Sequence, residues 1–186
     1  MRSGSHAGPA PGGGVRRPSL SPSGGTPISN TGGGTDEFEL SMVRRADAFA
    51  LLGGVAEKAL AMGRAVEAER ILASPLGDVI EASRAGKRVT PSLVDQAARF
   101  SAKLATATGK GAWADYVIEL YAAQRRPCPA PVIDELYNAL RRVTAIDLHR
   151  LREYIEDLRT RLQTFGPAER FLFQRLEGLE RLAALR

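Results

Sequence analysis

Chemically versatile side chains are scarce in this chain of 186 residues, which has one cysteine, Cys128, and two histidines, His6 and His149. A lone cysteine excludes an intrachain disulfide and any cysteine-based metal cluster. No Glu-x-x-His pair is present. At three and four residues from His149 stand Ala145, Ile146, Arg152 and Glu153, so metal ligation has no scaffold. No stretch approaches the ~20 apolar residues of a membrane span. The opening Met1-Arg2-Ser3-Gly4 passes into Pro and Gly without an apolar run, unlike a cleavable signal peptide. A cytoplasmic location and no cofactor are the resulting expectations. Period-2 alternation of apolar and polar residues is missing as well, which argues against β-strands.

Glycine, proline, serine and threonine fill 24 of the first 40 positions, with Phe38 the only aromatic there. Such a composition cannot bury enough surface to offset the entropy of ordering, so residues 1–40 read as a disordered tail. Gly12-Gly13-Gly14 and Gly32-Gly33-Gly34 lack the strand before and the Lys-Ser/Thr after that a phosphate loop needs. Ser21 and Thr26 precede prolines, Ser19 follows Arg16-Arg17, and Thr35 opens the acidic, aromatic cluster Asp36-Glu37-Phe38. These four are candidate phosphorylation sites, where a phosphate would add about −1.5 to −2 charge able to dock on arginines.

From residue 41 onward leucine, alanine, arginine and glutamate take over, and apolar residues recur at helical spacing almost everywhere. The first helix is expected over Arg44–Met62, ended by Gly63. The second starts at Arg64 and is kinked or split at Pro75. Thr90 as N-cap and Pro91 as first helical residue start a third that runs to Thr108. A fourth carries Trp113, Tyr116 and Tyr121 and stops before Pro127-Cys128-Pro129. Val132–Val143 forms a fifth. Leu148, Leu151, Ile155, Leu158, Leu162 and Phe165 then form a seam spaced 3, 4, 3, 4, 3, suited to packing inside the chain or between copies. Gly166-Pro167 closes that helix, and a last one spans Ala168–Leu185. The expected fold is all-α, an irregular helical-hairpin array or bundle of six to seven helices over residues 41–186, with the C-terminal helices in 130–186.

Ala59, Gly63 and Ala68 stand where small residues let two helices approach closely. Leu104 to Ala114, with Gly109-Lys110-Gly111 at its centre, repeats the order helix, glycine turn, helix. On these residues the stretch 46–125 resembles tetratricopeptide-type helical hairpins. Gly63 and Gly109 lie farther apart than that repeat's usual ~34 residues, and its full Trp/Leu/Gly/Tyr and Ala/Phe/Pro pattern is missing. The resemblance implies a concave surface that holds a peptide or partner protein, and it implies no catalysis.

Carboxylates pair at helical spacing, as in Asp115 and Glu119, but arginines and lysines surround each pair, the pattern of a solvated, salt-bridged face. The net charge is +5, and it lies wholly beyond the tail, because Arg2, Arg16 and Arg17 offset Asp36, Glu37 and Glu39. Arg141, Arg142, Arg150, Arg152 and Arg159 form the candidate anion surface, broken by Asp147, Glu153, Glu156 and Asp157. Phe171 and Phe173 cannot share a helix face, so one of them faces solvent in a monomer. The sequence therefore points to a non-enzymatic adaptor that binds another protein. Trp113, Tyr116, Tyr121 and Tyr137 are the candidate groove, Phe171 and Phe173 a second contact, and Leu148–Leu162 a route to self-association. A nucleic-acid-associated helical protein using the arginine surface, and a helical subunit of a secretion or motility machine, are the alternatives.

Overall fold

The computed structural model describes the backbone of residues 33–185 and the side chains from Arg44 to Leu185. Among the described residues there are seven α-helices: α1 (Gly33–Ala61), α2 (Ala65–Arg84), α3 (Pro91–Thr108), α4 (Gly111–Gln124), α5 (Ala130–Leu140), α6 (Leu148–Thr160) and α7 (Pro167–Ala184). A single 3-10 turn, Leu162–Thr164, follows α6. The fold is all-α, as the periodicity predicts.

Helix ends fall where local chemistry places them. The Thr90 hydroxyl accepts from the Leu93 backbone N–H at 3.4 Å, and Pro91 occupies the first helical position. Gly109, with φ of 72°, stops α3 in the left-handed region that a side chain disfavours. Asp147 caps α6 by accepting from the Arg150 N–H at 3.0 Å. At α7 the Glu169 carboxylate reaches back to the Gly166 N–H at 3.0 Å.

Three boundaries differ from the sequence-based expectation. The backbone of α1 is helical from Gly33, inside the stretch read as tail. Pro75 does not divide α2; the helix runs through it, although proline has no N–H to offer the Ile71 carbonyl. The helix carrying the long leucine seam ends at Thr160, which leaves Leu162 in the 3-10 turn.

The helices pair in a repeat-like order. α1 packs on α2 and α3 on α4, each pair joined by a short glycine-containing turn. α2 then lies against both α3 and α4, α5 continues the row beside α3, and α6 continues the row beside α4. α7 lies against both α5 and α6. At the centre stands α3, which touches α1, α2, α4 and α5. Its Ala97, Ala98, Ala102, Leu104 and Ala105 are fully buried, and so is Ser101. Small side chains on several faces let four neighbours approach one helix.

The seam of α6 is interior. Leu151, Ile155 and Leu158 are buried and Leu148 is half-buried, on a helix packed between α4 and α7. Self-association through Leu148–Leu162 is thereby corrected, because the chain's own helices already cover this surface. Tyr154, which the 3-4 spacing passes over, is buried in the same face.

Gly111 sets the approach of α4 to the loop before α6. A Cβ built there would overlap the Ala145 carbonyl oxygen, and with backbone on both sides nothing can rotate away. Gly111→Ala is expected to lower stability by about 2 kcal/mol or more in urea unfolding. Gly54→Ala, on α1 with open space around the new methyl, is expected to raise it by roughly 0.5–1 kcal/mol.

Candidate protein-docking groove

Most charged side chains of the helical body are paired inside the chain, and these pairs show which surface is left over. Glu119 on α4 accepts from Arg84 on α2 and from Arg150 on α6, so one carboxylate bridges three helices. Its Arg84 hydrogen bond holds the carboxyl below the ordinary value of 4.5. Neighbouring Asp115 accepts from the Asp147 backbone N–H at 2.7 Å, while burial pushes its own pKa upward. Glu69 on α2 takes Lys110 at 2.8 Å and the Trp113 indole N–H at 2.8 Å, and the lysine pulls its pKa down. These carboxylates are structural ties, as the reading of a salt-bridged face anticipates.

The proposed aromatic groove residues are divided among several helix–helix seams. Tyr116 donates to the Leu76 carbonyl of α2 at 2.7 Å. Tyr121 is fully buried, with its hydroxyl on Asp95 of α3 at 2.7 Å. Tyr137 of α5 donates to the Arg175 carbonyl of α7 at 2.9 Å. Trp113 and Tyr116 are half-buried neighbours with ring centroids 6.2 Å apart, both directed at α2. The four residues do not line a common surface, because Trp113 and Tyr116 find their partners on α2, Tyr121 on α3 and Tyr137 on α7.

Of the two phenylalanines on α7, Phe173 is buried under Arg159, whose guanidinium lies 6.0 Å from the ring centre, and Phe171 is 59% exposed. The two-residue offset separates them as helix geometry requires.

The arginine surface is largely neutralised within the fold. Arg150 is held by Glu119 and Asp147, Arg152 by Glu180, and Arg159 by Glu156 and Glu177. Only Arg141 and Arg142 of that set are exposed without an ion pair among the described residues. His149 makes the expected surface contact, 3.3 Å from Glu153.

Cys128 is fully buried between its two prolines, 3.6 Å from the Tyr154 hydroxyl, and burial pushes its thiol up to about 12. It is a core group and not a nucleophile poised at neutral pH. Among the described residues no group of three or more His, Cys, Asp and Glu side chains is placed to hold a metal, and no helix is long and apolar enough to cross a membrane.

The surface left over lies between α1 and α2. A groove of about 790 Å³ opens there, floored by Phe49, Leu52, Ile71, Pro75 and Val79, with Val89 and Leu93 at its far end. Residues 45–52 of α1 face residues 71–82 of α2 across it, in the antiparallel order set by the turn at residues 62–64. Arg45, Lys87 and Arg88 stand on its rim with no ion pair among the described residues. Asp78 is likewise unpaired, and Glu81 is tied to Arg84. Along α1 Leu51 and Val55 are exposed, at 74% and 54%, and Met62 in the turn that follows it at 61%. A smaller, more polar cleft between α1 and α3 is bridged by the Lys103–Glu57 pair.

The sequence-based expectation for α1 gave its bounds and no groove, and Phe49, which is buried, and Leu52 and Val55, which are exposed, were not among the candidate site residues. The available signal was the width of the apolar face of α1, broader than one neighbouring helix covers. Ser19, Ser21 and Thr26 lie outside the described residues, and Thr35 lies in the first turn of α1. No protein-family model, curated protein or solved structure matches this chain.

Two outcomes are expected. Native protein should not react with a thiol reagent at Cys128 until it is unfolded; fast labelling of folded protein would contradict the buried thiol. Glu119→Gln should cost about 1–3 kcal/mol at neutral pH in denaturant unfolding. Because the folded carboxyl is depressed, that contribution is fully present above the ordinary value of 4.5 and is lost as pH falls through the folded value. The gap between wild type and variant should therefore close on acidification.

Proposed function

We propose that the protein is a non-enzymatic interaction module, a helical-repeat-like array that acts as an adaptor by holding another polypeptide in the groove between α1 and α2. The observation that carries this reading is the contrast at that groove. Its floor is apolar and its cationic rim is unpaired, while most charged groups elsewhere on the helical body are matched within the fold. An apolar trough flanked by unsatisfied charge suits an amphipathic helix or extended segment. The kinship suggested by the small-residue turns, that of tetratricopeptide-type hairpins, belongs to the same proposal, as does cytoplasmic location. The tail, with Ser19, Ser21, Thr26 and Thr35, serves in this reading as a recruiting segment under phosphorylation control. Phe171 is the candidate for a second contact.

The nucleic-acid reading is weakened by the internal pairing of Arg150, Arg152 and Arg159, which leaves Arg141 and Arg142 as its exposed core. The test compares proteins retained from native lysate by wild type and by Leu52→Glu, washed at low and high salt. Leu52 is 40% exposed, so the substitution should leave helicity and melting unchanged. A protein held by wild type at high salt and lost from the variant is the expected result. Retention by both forms would remove the groove as the site. Recovery of nucleic acid alone, released by salt, would replace the adaptor with the arginine surface.

A further inference from the structure

Among the described residues, large apolar side chains are exposed at the two ends of the helical array and not between them. They stand on α1, in the turn after it, in the first turn of α2, and on α7 with its C-cap; α3, α4, α5 and α6 carry none. The groove between α1 and α2 is one of these ends. At the other, α7 packs one side against α5 and α6 and leaves the opposite side bare. Phe171, Leu182 and the C-cap residue Leu185 line up on that bare side, because steps of eleven and fourteen residues are close to whole numbers of turns. α7 does not meet its own chain's groove, since α3 and α4 stand between the two ends.

The bare face of α7 matches the groove in length and in charge. Its 18 residues span roughly 27 Å, against about 30 Å for the 20 residues of α2. Laid parallel to α2 with Phe171 level with Ile71, the helix brings Leu182 level with Ala82 and Leu185 level with Ala85. That is the end of the groove where Arg45, Lys87 and Arg88 stand, and the unpaired carbonyls of a last helical turn carry partial negative charge. Arg181, which has no ion pair among the described residues, comes level with Glu81 and one turn from Asp78, the two acids of the lining. Arg170 comes to the Ile71 end, where the lining carries no charge. The reverse direction would set Arg170 and the positive start of the helix against the three cations.

We propose that the groove is occupied by α7 of a second copy of this chain, bound head to tail. This rests on the reading of the groove as a docking site and names one occupant for it. The contact continues the packing inside the chain, where α2 lies against both α3 and α4. Because face and groove are different surfaces, two joined copies still have one of each free, and association continues into longer chains or a closed ring. Any other client of the groove competes with α7.

The test is sedimentation equilibrium of the full chain over the micromolar range, with three variants at exposed positions. Phe171→Glu spoils the face and keeps the groove, Leu52→Glu spoils the groove and keeps the face, and Arg181→Glu reverses the charge set against Asp78 and Glu81. Circular dichroism and melting confirm that each is folded. The mean mass of wild type is expected to rise with concentration past that of a dimer. Phe171→Glu and Leu52→Glu should each associate at least about tenfold more weakly, and Arg181→Glu roughly threefold more weakly. Mixing Phe171→Glu with Leu52→Glu should give a one-to-one dimer that grows no further, because one intact face and one intact groove remain between them. A wild type that stays monomeric overturns the proposal, as does a mixture that stays monomeric or a single variant at Phe171 or Leu52 that associates as wild type does. An Arg181→Glu form as strong as wild type overturns the direction in which α7 lies. If wild type is monomeric while Leu52→Glu still loses a captured partner, the groove reading survives and only the second copy falls as its occupant.

Discussion

The close approach of four helices to α3 is the constraint from which the rest of this structure follows. Helix axes approach closely only where side chains are small, and α3 answers with Ala97, Ala98, Ser101, Ala102 and Ala105 in the interior. Ser101 keeps a buried hydroxyl without a partner among the described residues, a cost accepted to keep that face thin. Larger groups then fill the layers outside: Leu72 and Leu76 from α2, Val117, Leu120 and Tyr121 from α4, Ile133 and Leu136 from α5. Gly53 extends the principle to α1, where a Cβ would collide with the Phe100 ring.

A spine that serves four neighbours fixes which helix faces are left over. α5 and α6 receive α7, so the long leucine seam is consumed inside the molecule. α1, by contrast, packs chiefly on α2 and, more lightly, on α3, and keeps Leu51, Leu52 and Val55 outside. Charge follows the same division. Where helices are stacked, carboxylates such as Glu119 and Glu69 bridge between them and consume the arginines and lysines nearby. At the end of the stack, Arg45, Lys87 and Arg88 stand without an ion pair among the described residues, as does Asp78 across the groove. The groove is the terminal, uncovered interface of a repeat-like array, and for that reason it is both apolar and unpaired.

Much of this was legible in the sequence. Helix identity, the Thr90-Pro91 start, the glycine turns at Gly63 and Gly109, and the division of Phe171 from Phe173 all follow from local rules of spacing and capping. The site was not legible, because periodicity reports that a face is apolar and not what covers it. The regular Leu148–Phe165 seam is covered by neighbouring helices, whereas on α1 Phe49 is buried and Leu52 and Val55 stay exposed, a division that spacing alone does not show. Tyr121 and Tyr137 looked like groove aromatics because a sequence does not display the Asp95 carboxylate or the Arg175 carbonyl that receives each hydroxyl. Pro75 read as a break, and it stands in an unbroken helix as part of the groove floor.

The central claim, that the α1–α2 groove is the surface another polypeptide covers, is tested most directly by amide hydrogen exchange of the full chain. Exchange would be followed at rising protein concentration and with fractions of native lysate. The account predicts added protection in residues 45–56 of α1 and 71–89 across α2 and the loop that follows it, with exchange along Arg141–Arg142 unchanged. Added protection at Arg141–Arg142 or along α7, with α1 and α2 exchanging as before, would contradict it.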